Sequence, residues 1–337
     1  MSSSVPLSRR NFLGAAAALA VVGSGAAAAL RPEVAHALDV RPGGFATWHE
    51  FALPSAAGMP GAILCDALDR VWYTDDANKQ LIMFPAESPG AYATVDLGPG
   101  GPSIGTLLAA PDGAVWFNDF AMPQMGRFDP ISRTVSLFPT GGSGTAFSPV
   151  VGPDGAIWFG DPANEGIASL APDGTITRVR DPHGSLVVHV VAAGDGRLWY
   201  SRDGLPVLVR YDPVADVFDE LFLSGGDTYG LTVDAAGEVW VGTHGLVSHV
   251  AAGDVVTEYP IPSTIPFWPG YPTSLAAGHH ARLYFTDEQL GLGRIALDGA
   301  VIFQRPPFAG AAPRELAVTS VGTLWYTDPA RGTIGCL

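Results

Sequence analysis

The sequence is short of cysteine, of basic residues and of charge altogether. Two cysteines among 337 residues, Cys65 and Cys336, exclude a disulfide-rich scaffold, and neither has metal-ligand spacing. A single bridge between them remains an option for an exported chain. Lys and Arg number 18 against 33 Asp and Glu, a formal net charge of −15. Such a surface repels nucleic acid and anionic lipid, so no nucleic-acid partner is expected. Long helical periodicity is missing too. Apolar residues come instead in short runs punctuated by 42 Gly and 29 Pro, while an apolar fraction of 47% still suffices for a core.

The longer apolar stretch stands at the N-terminus. SRRNFLG, with Arg9 and Arg10, precedes AAAALAVVGSGAAAAL, and Ala35-His36-Ala37 supplies a small-x-small cleavage pattern. Residues 1–37 therefore read as a twin-arginine signal peptide, which predicts a periplasmic or extracellular protein. Gly and Ala dilute the apolar run, which argues against an uncleaved membrane anchor. The mature chain, 38–337, is expected to be a monomer without membrane contact, with a net charge of about −17.

Within it, one unit repeats seven times at intervals of about 42 residues. A turn pair precedes an apolar triplet centred on an aromatic: Trp72, Trp116, Trp158, Trp199, Trp240, Tyr284 and Trp325. Each aromatic strand (b) follows a short apolar strand (a) and precedes two alternating strands (c and d), as in LLAA, VWFND, MGRFDP and TVSLFPT. Four strands per unit and seven units predict an all-β, seven-bladed β-propeller. The last unit reaches only strand c, TIGCL. FATWHEFALP, from Phe45 to Pro54, resembles the strand-d sequences and is expected to complete the seventh blade. A ring closed in this way leaves no unpaired inner edge.

In a propeller, the loop into strand a and the loop out of strand b open on one face around the central channel, where small ligands bind. Five strand-b exits end in aspartate: Asp75, Asp119, Asp161, Asp287 and Asp328. The ring has two readings, oxygen ligands for Mg²⁺ or Ca²⁺ and turn caps bonding backbone N–H groups. Departures from the repeat say more. His189, Tyr229, His244, Arg202, Arg314 and Glu315 put titratable groups where sister blades carry small or apolar residues. His189 can be a base or a satisfied core histidine; Glu315 can be a catalytic partner or pair with Arg314 or Arg202. Phe267, Trp268 and Tyr271 occupy a Pro-rich insertion suited either to a lid or to packing between blades. His279 and His280 replace a D-G turn on the opposite face, and His183 and His249 have no partner nearby in sequence.

DGAVWFND, DGAIWFGD, LGRIALDG and VVTEYPIP resemble the repeat pattern of the virginiamycin B (streptogramin) lyase family, from about residue 45 to the end. The resemblance implies a seven-bladed propeller that opens a cyclic depsipeptide at its ester by Mg²⁺-assisted elimination. On that reading His189 and His244 stand as candidate bases and Glu315 as their catalytic partner, with Tyr229, Arg202, Trp268 and Arg314 contacting substrate. The family's His-bearing entry P-H-G-I is replaced here by TYGL, with Tyr229 in the histidine's place, and its exit Glu is replaced by Asp. A second reading is a non-catalytic exported propeller that binds a peptide, a glycan or a cell-wall component through the same mouth.

Overall fold

The computed structural model describes residues 47–55, 57–141, 144–263, 265, 268–279 and 282–337. The twin-arginine segment, Phe45, Phe267 and His280 lie outside them. The described chain forms seven four-stranded antiparallel sheets. Six are continuous in sequence, covering 60–96, 104–139, 147–180, 187–222, 228–260 and 275–304. The seventh combines Leu316–Val318, Leu324–Asp328 and Thr333–Cys336 with the N-terminal strand His49–Ala52. Phe51 pairs with Ile334 across that closure, and Arg331 locks it from outside by a two-pronged ion pair to Glu50. Each strand a contacts the next around the ring, and the seventh contacts the first.

The blade aromatics are equivalent in register. Trp72, Trp116, Trp158, Trp199, Trp240, Tyr284 and Trp325 face Leu64, Leu108, Val150, Val191, Thr232, Ala276 and Ala317 of strand a. All seven are buried. Each blade-to-blade space holds its own apolar cluster, such as Trp158 with Tyr200, Val209 and Tyr211. Blade packing rather than one central core carries the stability, since burying such rings removes the most apolar area per residue.

The repeat's polar residues have structural work. The turn aspartates Asp66, Asp154, Asp195 and Asp234 accept the indole N–H of the blade tryptophans. Glycine in strand c is also explained: a Cβ at Gly126 would fall inside the ring of Phe117. Cys65 and Cys336 are free thiols beside the cluster between the seventh and first blades. Burial raises both, Cys336 to about 12, so neither is a reactive thiolate.

Candidate functional site at the channel mouth

Strand a enters the mouth through a bulge in blades 1 to 5, where the register to strand b slips. A bulge leaves an inner N–H without a ladder partner. The residue before the exit aspartate supplies the missing acceptor: Thr74 takes Ala62 N–H, and Asn118 takes Thr106 N–H at 2.7 Å. Blades 6 and 7 use the same device, Thr286 for Ser274 and Thr327 for Glu315. The next residue clamps the entry loop. Asp75 accepts Met59 N–H, Asp119 accepts Ser103 N–H, Asp287 accepts Tyr271 N–H and Asp328 accepts Ala312 N–H. The acidic ring is thus a set of buried turn caps. Its oxygens are committed to N–H donors, which suits capping and not a hard cation that needs several free oxygen ligands.

Blades 3 to 5 depart from this device. Gly160 and Gly242 offer no side-chain acceptor in blades 3 and 5, and the hydroxyls of Ser201 in blade 4 and Thr243 in blade 5 are buried with no hydrogen-bond partner among the described residues. Four of the departures identified in the sequence, His189, Arg202, Tyr229 and His244, belong to these blades. His189 lines the channel with Nδ1 3.4 Å from Ser148 Oγ, and the Tyr229 backbone also bonds it. The residue is half-buried, and desolvation lowers its pKa to about 4, so the imidazole is neutral near pH 7. Ser148 is held at φ 41°, a left-handed conformation costing a serine about 1–3 kcal/mol. It is the residue that meets His189.

Tyr271 is the centre of an aromatic group. Its ring lies 5.1 Å from Tyr229, 5.0 Å from His244 and 4.5 Å from Trp268, with edge contacts to the first and last. Trp268 is aimed by its indole N–H to Asp287 at 3.1 Å. Burial, with Asp227, Tyr271 and Asp203 nearby, raises Tyr229 to about 12, so it is a neutral donor. Asp203 is itself raised, by burial and by the like charge of Asp227.

Two predicted site residues sit apart from this sector. Glu315 lines the channel from the seventh blade, where burial raises its pKa despite Arg314 and a bond from Ser274. Arg314 is exposed beside it. The alternative of a Glu315 pair with Arg202 gives way to a different arrangement. Arg202 is buried, with Asp181 at 3.0 Å and Glu220 at 2.7 Å, and Tyr200 donates to the same Asp181. Its guanidinium is buried and engaged by these two carboxylates, which suits a scaffold role. His183 and His249 also gain partners, Glu220 for the first and Asp234 and Glu238 for the second. Ser148 was missed as a neighbour of His189 because that contact crosses from one blade to the next, whereas Asp227 lies two residues before Tyr229 in the same blade entry. The GGD run before TYGL was the available signal for Asp227.

The class is a closed seven-bladed propeller with titratable and aromatic groups clustered at one mouth. The profile of the virginiamycin B lyase family matches residues 46–262 and 151–337, and the chain belongs to that family. Among solved structures it is similar to a streptogramin B lyase, with 20% identity, 86% of this chain and 96% of that one covered, and a TM-score of 0.76. A catalytically inactive virginiamycin B lyase from Staphylococcus aureus with quinupristin matches at 20% identity, 86% and 98% coverage and a TM-score of 0.76. The extracellular domain of a protein described as a hybrid two component system from B. thetaiotaomicron matches at 13% identity, 86% and 42% coverage and a TM-score of 0.69. At these identities the likeness concerns the fold. No curated protein matches the chain.

Proposed function

We propose that this is an exported lyase that opens a cyclic ester or depsipeptide at the channel mouth by elimination. The observation that carries the reading is the convergence of Tyr229, His244, Trp268 and Tyr271 around one point, in the sector where the repeat's capping residues are given up. The aromatic faces suit an apolar macrocycle, and Tyr229 offers it a hydrogen-bond donor. His244, exposed at the rim, takes the proton on the carbon α to a carbonyl. The electron pair left behind forms the C=C bond as the ester C–O bond breaks and the carboxylate departs. Glu315, which burial keeps protonated above the ordinary carboxylate range, hands that carboxylate a proton across the channel. His189 stays neutral and orients the substrate by hydrogen bonding.

The family implies Mg²⁺. With the exit aspartates committed to capping, the fitting donors are Asp203 and Asp227, whose like charges already oppose one another and would be relieved by a cation. There it would supply positive charge against the developing enolate.

Mass spectrometry of cyclic depsipeptides and lactones incubated with the mature protein tests the proposal. Elimination gives a linear product of unchanged mass, whereas hydrolysis adds one water. Loss of product on adding chelator and with His244→Ala is expected. Product formation that survives His244→Ala refutes this assignment. One observation favours the binding reading: among the described residues no hydrogen bond joins His244 or His189 to Glu315. Tight binding with no product under any condition would select it.

A further inference from the structure

A second cluster of chemically competent side chains lies on the opposite face of the propeller, in the fifth blade. Asp234 and Glu238 flank the turn from strand a to strand b, and His249 reaches them from strand c. His249 Nε2 is 3.0 Å from Glu238 Oε2 and 3.6 Å from Asp234 Oδ2, and the three ligand atoms lie within 4.8 Å of one another. Two atoms bound to one tetrahedral ion at about 2.1 Å stand about 3.4 Å apart, so the spacing is that of a chelate. Nε2 is shielded from water and, among the described residues, makes no well-formed hydrogen bond despite the nearby carboxylates.

The cluster is also held in place. His249 stacks on Trp240 with ring centroids 4.1 Å apart, and Trp240 donates its indole N–H to Asp234 at 2.9 Å. Asp234 Oδ1 takes the N–H groups of Ala236 and Glu238, and Glu238 Oε1 takes that of Ala252. One oxygen of each carboxylate is thereby fixed by backbone N–H groups; the other, Oε2 of Glu238 and the Oδ2 of Asp234 that also takes the Trp240 indole N–H, faces the imidazole. Supporting partners of this kind orient metal ligands. A cavity of about 300 Å³ borders the group, lined also by Ala277, His279 and Arg282 of the neighbouring blade.

We infer that Asp234, Glu238 and His249 form a binding site for a transition-metal dication of the Zn²⁺ or Mn²⁺ kind, open to that cavity on its remaining side. One imidazole nitrogen and two carboxylates form a mixed donor set that favours such ions over Mg²⁺ and Ca²⁺, which take oxygen alone. The site is remote from the mouth and independent of any reaction there.

Calorimetric titration of the mature protein with Zn²⁺, Mn²⁺, Mg²⁺ and Ca²⁺ tests this, together with the His249 ring resonances in the Zn²⁺ titration. One Zn²⁺ per chain should bind and shift His249. Glu238→Gln, a partly exposed substitution that keeps the fold, and His249→Gln should each weaken that binding by more than about tenfold. His244→Ala at the mouth should leave it unchanged. Zn²⁺ binding unaltered in both variants, no Zn²⁺ binding, or equal affinity for Mg²⁺ and Zn²⁺ would each overturn the assignment and leave His249 as an ion-pair partner of the two carboxylates.

Discussion

Arg202 stands where five sister blades carry an exit aspartate, and it reaches Asp181 at 3.0 Å from both Nε and Nη2. The charge at the exit is reversed, and the carboxylate has moved to the loop entering the blade. Asp181 is fully buried and also caps His183 N–H at 2.8 Å. Removing the guanidinium leaves an unpaired buried charge.

Arg202→Ala is accordingly expected to cost about 3–5 kcal/mol, a fall in Tm of roughly 5–10 °C. Ligand affinity at the mouth should hold in the protein that remains folded. Thermal melting with ligand titration checks both. A stable variant that loses ligand would return Arg202 to the binding surface.

Tyr271 contacts three rings, so Tyr271→Ala removes the centre of the aromatic group. Ligand or substrate affinity should fall by about tenfold to a hundredfold, since stacked aromatic contacts contribute roughly 0.5–1.5 kcal/mol each beyond burial. Tyr271→Phe should retain most of it. Equal affinity for the alanine variant would move the ligand elsewhere on the ring.

Asp287 holds Trp268 Nε1, Tyr271 N–H, Gln289 N–H and Leu290 N–H together. Asp287→Ala orphans four donors at once and should lower Tm by several degrees. It should also weaken the ligand as strongly as Tyr271→Ala does, because the loop that aims Trp268 loses its anchor.

His189 carries a pH signature. Its folded pKa, about 4, lies below the ordinary value near 6.5, so the unfolded chain binds the proton more readily. Its contribution to stability is complete above about pH 6.5 and is lost as the pH falls toward 4. Glu315 is shifted upward and acts in the opposite sense: its contribution is present in acid and declines as pH rises past the ordinary carboxylate range. Melts of His189→Asn from pH 7 to 4 should show a flatter acid limb than the parent. An identical limb would place the acid sensitivity elsewhere.

Much of this was legible in sequence because a repeat repeats its physics. Trp116, Trp158 and Trp199 announced equivalent strands, and the alternating FATWHEFALP segment announced the closing strand. The position of His189 on an inner strand, and of Glu315 directly before one, followed from register alone. The Asp234, Glu238 and His249 cluster was hidden, because strand b and strand c must pair before His249 comes over Trp240.

The sequence by itself determined the number of blades, their strand order and the equivalence of the repeated positions, since period and alternation are local properties of the chain. Only the tertiary structure decided what each polar residue does there. The same aspartate is a cap, a ligand or an acid according to the donors that neighbouring blades bring within about 3 Å, and hydrogen bonds and desolvation act over that distance whatever the separation in sequence.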